Sequence, residues 1–287
     1  MSSSEPVKLT VEDPPSHRGK EISEYVFSPN MQYMVTWSKD DQSIVGWSIT
    51  NDLLNDLSIE PINSLNTYEL KSLLNTDDIK NPHLKGASDC KQFIILWFGR
   101  SKEFAVIDIT NKSRQILNAQ GLKNNILDRY KEDIVFLENG DLAIAKKNPV
   151  YRAYIFSKLK FNAKYQWICK NSIELDKYFQ CKIYKNGTLL MHFFTPNVIT
   201  QRNLITQKFE MQYILNWNLL ANKSENQNQF EMNSDNKLLA IAFRTESDSL
   251  AVYVYSTKSG IEVANKTFSS LSPLHKFCFI GSREKEC

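Results

Sequence analysis

The stretch ISEYVFSPNMQYMVTWSKDDQSIVGWSI, Ile22 to Ile49, holds three apolar runs separated by two polar turns, and its reading decides the fold. Val26 and Phe27 lead into Ser28-Pro29-Asn30, where proline fixes φ and the flanking Ser and Asn side chains bond nearby backbone, so the chain turns. Tyr33 to Trp37 is rich in strand-forming residues, Ser38 to Ser43 is a second polar turn, and Ile44 to Ile49 is a third apolar run. Three short strands in meander order are the start of a propeller blade.

Later segments repeat the plan. Asp89, Asn139, Asn186 and Asp235 stand in polar turns equivalent to that at Asn30, and the intervals are 59, 50, 47 and 49 residues. A period near fifty with four β runs per repeat is that of propeller blades, and the short β-rich runs exclude solenoids of paired helices. Asn139-Gly140 and Asn186-Gly187 are hairpin signals of the kind in which both central residues take positive φ. The sequence therefore predicts an all-β propeller of about five blades plus a partial sixth, incompletely closed. Residues 1–21 read as an N-terminal arm, and units fall at about 22–82, 83–125, 126–175, 176–220 and 226–272, with a partial unit at 273–287.

The long first interval has a local cause. Leu53, Leu54 and Leu57 recur at helical spacing, and Tyr68, Leu70, Leu73 and Leu74 do so again behind a capping Asn66-Thr67, with Pro82 as a stop. A short helical insertion after the first blade is expected.

The opening unit resembles a WD40-like β-propeller blade: Phe27-Ser28-Pro29-Asn30 with Tyr33 to Thr36 matches its strand-turn-strand start, and Ile44-Val45-Gly46-Trp47-Ser48 falls where the V-x-V-W-D signature lies. Ser48 replaces the signature Asp and no Gly-His pair occurs anywhere, so the Asp-His-Ser/Thr-Trp hydrogen-bond tetrad of orthodox blades is not expected. The blade style, chiefly from Val11 to Trp47, is also similar to propeller regions of large fungal proteins that carry an ion-channel-like membrane domain.

Chemistry-bearing motifs are sparse. The four histidines are isolated from one another and from any C-x-x-C pair, no Asp-x-Asp-x-Asp-Gly loop or phosphate-binding glycine loop occurs, and no catalytic, cofactor or metal residue is singled out. Trp37, Trp47, Trp97, Trp167 and Trp217 read as packing between blades, and Gly46 inside a strand as a bulge or a close approach. Five widely spaced cysteines, mostly inside apolar strand patterns, suit reduced core thiols; Cys169 and Cys181 bracket a connection between units and could be neighbours, with a core role preferred to a surface thiol pair. The start of the chain has neither a basic end nor an apolar core of signal-peptide type, and no run of about 18 apolar residues occurs, which points to a cytoplasmic product without a transmembrane segment.

Charge is the one surface signal. The chain carries a formal net charge of +3, yet residues 146–185 hold ten basic and two acidic groups, against three and eight in residues 39–80. Lys146, Lys147, Arg152, Lys158, Lys160, Lys164 and Lys170 form the candidate partner-binding patch, suited to an acidic protein segment or an anionic membrane surface. Near-neutral overall charge and the lack of a recognition motif disfavour nucleic acid. The function expected is a noncatalytic scaffold for protein-protein interaction; the alternative is a cytosolic regulatory propeller fragment of a larger membrane ion-transport protein.

Overall fold

The structure, a computed structural model, describes residues 16–51, 57–74, 82–99, 101–122, 132–146, 151–161, 164–193, 196–215, 229–233, 235–244 and 249–269. Twenty strands form five four-stranded antiparallel sheets, each hydrogen-bonded in chain order. The first sheet is β1 (Glu24–Phe27), β2 (Tyr33–Ser38), β3 (Ser43–Asn51) and β4 (Leu57–Leu65). The second is β5 (Pro82–Ala87), β6 (Phe93–Phe98), β7 (Glu103–Asp108) and β8 (Ser113–Ile116), and the third β9 (Asp133–Phe136), β10 (Leu142–Lys146), β11 (Arg152–Phe161) and β12 (Lys164–Glu174). The fourth is β13 (Gln180–Ile183), β14 (Thr188–Phe193), β15 (Val198–Asn203) and β16 (Phe209–Ile214), and the fifth β17 (Gln229–Met232), β18 (Leu238–Arg244), β19 (Leu250–Ser256) and β20 (Glu262–Phe268).

The sheets pack face to face in sequence. One core joins sheets one and two around Tyr33, Ile44, Ile94 and Leu96, and a second joins two and three around Phe93, Ile95, Leu142 and Phe156. A third lies between sheets three and four, through Ala143, Ile155, Leu189 and Met191, and a fourth between four and five, through Leu190, Tyr213, Phe230 and Ile241. Ile94 and Ile95, like Leu189 and Leu190, thus point into opposite cores, which is why the middle strands are continuous apolar runs without alternation. Successive sheets meet along β1, β5, β9 and β13, so first strands lie on the inside of the arc. No core cluster joins the fifth sheet to the first among the described residues, and the sheets do not close.

One turn recurs between the first and second strands of every sheet. Met31, Lys91, Gly140, Gly187 and Asn236 all have positive φ, and the amide of each donates to the carbonyl three residues earlier. Asn139 and Asn186 are not left-handed, so each of these turns needs one positive-φ residue where the Asn-Gly reading asked for two. Short helix α1 (Thr67–Leu73) follows the first sheet as expected, with Asn66 accepting from the Tyr68 and Glu69 amides and Glu69 reaching back to the Asn66 amide. Leu57 begins β4 instead of a helix, because pairing with β3 outweighs the local spacing, and Pro82 starts β5 rather than serving as a stop. Leu53 and Leu54, the arm up to residue 15, Trp217 and the partial sixth unit lie outside the described residues.

The hydrogen-bond tetrad is present after all, in altered form. Trp47 Nε1 donates to Thr36 Oγ1 at 2.8 Å, Thr36 Oγ1 lies 2.7 Å from His17 Nε2, and His17 Nδ1 lies 2.6 Å from Ser43 Oγ, which donates to Asp41 at 2.7 Å. A neutral imidazole protonated on Nδ1 lets every donor in this chain point toward Asp41. The expectation failed because the histidine arrives without an adjacent Gly-His pair: Arg18-Gly19 follows it, and Ser43 is interposed before a carboxylate 3.8 Å away.

Gly46 shows both features read from its position. The β3–β4 register slips between Gly46 and Trp47, and a Cβ there would sit 2.0 Å from Asn63 Oδ1 and 2.1 Å from the Tyr33 hydroxyl. That hydroxyl donates to Asn63 at 2.8 Å, and Asn63 donates to the Lys91 carbonyl in the next sheet's turn. Gly46→Ala must break this link or shift a strand, and a loss of about 2 kcal/mol or more is expected in denaturant unfolding. Met31→Gly, relieving a left-handed non-glycine, is expected to raise stability by about 0.5 kcal/mol in the same measurement.

Candidate functional site

The seven residues of the basic run do not share one surface. Lys146 ends β10 and is only 2% exposed; its ammonium donates to the Leu122 carbonyl and lies 5.7 Å from the centre of the Phe104 ring. Burial holds its pKa below the usual lysine value, opposed by the Glu132 carboxylate. Its placement corrects the reading of it as a surface charge: as the end of a central strand it faces the wall between sheets two and three. Phe104 and Leu122 also line an open pocket of about 320 Å³ with Lys102 and Asn118. Lys147 lies outside the described residues.

Arg152, half-buried, faces Glu174 across β11 and β12, its guanidinium 3.9 Å from the carboxylate. Lys158 lies over the Phe93 and Tyr165 rings, 5.1 and 5.6 Å from their centres. Lys160, Lys164 and Lys170 are exposed. The structure therefore gathers four of the lysines on the β11–β12 hairpin and removes Lys146 from them.

The hairpin is oriented by one of its faces. Lys158 opposes Trp167 and Lys160 opposes Tyr165, and the rings of Trp167 and Tyr165 pack edge-on to Phe93 of the second sheet at 5.4 and 5.3 Å. Gln115 on β8 locks the contact, accepting from the Trp167 amide at 2.6 Å and donating to its carbonyl at 2.7 Å. Strand alternation puts Leu159, Phe161 and Ile168 on the opposite face, where they are 53%, 68% and 42% exposed. The sequence reading of this segment followed its charge and did not single out these apolar residues. The alternation Lys158-Leu159-Lys160-Phe161 is the signal that the strand continues.

Polar groups on the inner strands are spent on joining sheets. Glu24 on β1 accepts from the Leu84 amide at 2.7 Å and pairs with His83 at 2.8 Å. Asp133 on β9 accepts from the Ile183 amide on β13, and Lys182 bonds Glu231 on β17 at 2.6 Å. Desolvation pushes the Asp133 carboxyl up to about 6, against the opposing pull of the Ile183 amide and Lys182. Among the described residues no three His, Cys, Asp or Glu side chains converge as a metal site would require. Cys169 packs on the core between sheets two and three and Cys181 on that between three and four, the core placement preferred from the sequence, with a sheet between them; Cys90 is exposed.

No protein-family model and no curated protein matches the chain. Solved structures do. Hsv2 of Kluyveromyces lactis with its loop 6CD replaced by a Gly-Ser linker superposes with a TM-score of 0.52 at 14% identity, over 85% of this chain and 65% of that one. Hsv2 of Kluyveromyces marxianus gives 0.50 at 13% identity, over 86% and 65%. A putative 6-phosphogluconolactonase from Bacteroides uniformis gives 0.51 at 11% identity, over 86% and 71%. The chain thus spans under two thirds of the length of the Hsv2 chains, and the likeness is one of fold, a β-propeller.

Two predictions follow from these placements. Lys146→Glu puts a carboxylate against a buried carbonyl and is expected to cost about 3 kcal/mol or more, whereas Lys164→Glu stays within about 0.5 kcal/mol, both read from urea unfolding. The second concerns acid. His192 on β14 is buried, which lowers its pKa to about 4, and burial lowers His17 as well. Below about 6.5 the unfolded imidazoles take up protons that the folded ones refuse, so stability falls with pH; His192 alone accounts for about 2 kcal/mol between about pH 7 and 5. Asp133 acts in the other direction, taking up its proton in the folded chain near 6 and returning about 1 kcal/mol over that range. His192→Gln is therefore expected to remove about 2 kcal/mol of acid sensitivity in paired unfolding curves.

Proposed function

We propose that the chain is a noncatalytic β-propeller scaffold for protein-protein interaction, working in the cytoplasm. One observation carries the reading. Glu24, Asp133 and Lys182, on the inner strands where a reaction centre would draw its acids and bases, are engaged in sheet-to-sheet bonds, while the exposed chemistry sits on the outer β11–β12 hairpin. No helix among the described residues is long and apolar enough to cross a membrane.

A second reading, a cytosolic regulatory propeller belonging to a larger membrane ion-transport protein, draws on the resemblance carried by Val11 to Trp47 and on an arc of sheets that further sequence could extend. The full-length transcript separates the two: apolar segments of about 20 residues in frame with this chain favour the second, and an in-frame stop directly after Cys287 defeats it.

The scaffold reading is tested by cross-linking and pull-down with the full chain. Wild-type protein is expected to retain specific partners that the Lys164→Glu, Lys170→Glu double variant loses. An unchanged partner set would remove the hairpin from the interface, and the absence of any partner above a control bait would remove the scaffold. Turnover of 6-phosphogluconolactone by the purified chain, lost in Asp133→Asn, would replace it with an enzymatic reading.

A further inference from the structure

We infer that the β11–β12 hairpin is a docking element for an anionic lipid surface, entering the interface with Leu159, Phe161 and Ile168 while its lysines engage the head groups. Length sets the hairpin apart from its counterparts. β11 has 10 residues and β12 has 11, against 9 each in β3 and β4, 7 each in β19 and β20 and 6 each in β15 and β16. At about 3.3 Å per residue β11 reaches roughly 13 Å further than β15 of the next sheet. An interfacial element buries its apolar face about 5–10 Å deep, within that reach.

The apolar row lies on the face that the fold leaves bare. Trp167 and Tyr165 anchor the other face on Phe93, and Gln115 fixes the backbone, so the presentation of Leu159 and Phe161 is rigid and costs no ordering on contact. Phe161, the most exposed of the three, is the last residue of β11, at the far end of the hairpin.

Charge then selects the surface. Lys164, paired with Phe161, shares the face of the apolar row; Lys160 projects from the anchored face opposite Tyr165 and Lys170 stands at the β-bulge nearer the base, and the one carboxylate on either strand, Glu174, lies at the base opposite Arg152. Long lysine stems lie along apolar surface while their amines remain at the water boundary, the disposition that suits an apolar tip below phosphate and carboxylate head groups. An acidic peptide in water would be met by the amines alone and leaves Leu159 and Phe161 without a role.

The test is co-sedimentation of the full chain with phosphatidylcholine vesicles, with and without phosphatidylserine. Wild-type protein is expected to sediment with the anionic vesicles and to be released as salt is raised. Lys160→Gln, Lys164→Gln and Lys170→Gln each lower partitioning about fivefold, and Leu159→Ser with Phe161→Ser lowers it about tenfold or more. Tyr25→Ser, at an aromatic residue that is 65% exposed in the first sheet, leaves it unchanged. Circular dichroism melts confirm that each variant is folded. Failure of folded wild-type protein to bind anionic vesicles overturns the inference, as does full binding by the Leu159→Ser, Phe161→Ser variant. Polyglutamate binding that needs the lysines and not Leu159 or Phe161, with the chain left in the vesicle supernatant, overturns it in favour of an acidic peptide. The assay contains no other protein, so its outcome is separate from that of the scaffold reading.

Discussion

The interaction on which the rest of the structure depends is the face-to-face burial of one sheet against the next. A four-stranded meander whose middle strands are apolar on both sides cannot satisfy itself; Ile94 needs the first sheet and Ile95 needs the third. The fold is therefore quasi-one-dimensional, with each sheet stabilised by its neighbours and each core shared by two repeats. The turns between the first and second strands are equally uniform. A left-handed residue at Met31, Lys91, Gly140, Gly187 and Asn236 sets the same chain reversal in each sheet. Holding methionine and lysine in that conformation is unfavourable by about 1 kcal/mol, small beside the burial of even one core side chain.

Polar bonds on the inner edge then fix how successive sheets align. Hydrophobic contact is non-directional, but a carboxylate accepting a particular amide is not. Glu24 on Leu84 and Asp133 on Ile183 perform the same operation at two junctions, each joining the first strand of one sheet to the first strand of the next. At the junction of sheets four and five the ionic pair Lys182–Glu231 takes that role, supported by the Tyr184 hydroxyl on the Phe230 carbonyl. The Trp47–Thr36–His17–Ser43–Asp41 chain works in another direction, tying the segment before β1 to the outer part of the first sheet. Glu24, Asp133, Lys182 and Glu231 are in this way engaged in registration.

The repeat was legible in the sequence because burial on both faces writes itself as unbroken apolar runs, and because turns between strands need Asn, Asp, Gly or Pro. What was not legible has physical reasons. His17 joins Trp47 only through the path of the chain in space, with no dipeptide to announce it. Lys146 follows Leu142-Ala-Ile-Ala in a central strand, where alternation does not tell inside from outside, and its charge suggested a surface that the shared core denies it. Cys169 and Cys181 are twelve positions apart, yet a whole sheet separates the cores they join. Leu57 sits at helical spacing from Leu53 and Leu54, but the nine-residue β3 offers it a ladder partner, and tertiary pairing overrides local pattern.

The β11–β12 hairpin is where the propeller's own demands end. Up to Phe156 and back from Cys169, apolar residues are required by the cores on either side; beyond them only one face, through Tyr165 and Trp167, packs on a neighbouring sheet, and no core cluster among the described residues takes up the other. An outer strand with no packing duty is ordinarily guarded by charge alone, since bare apolar edges invite aggregation. Here the lysines are present, but Leu159, Phe161 and Ile168 are retained beside them, and the anchoring of the reverse face by Trp167 keeps them outward instead of letting them fold back. Folding explains the lysines and the anchor without explaining the apolar row. An amphipathic interface explains all three, because it needs rigidity, charge and apolar reach in one element.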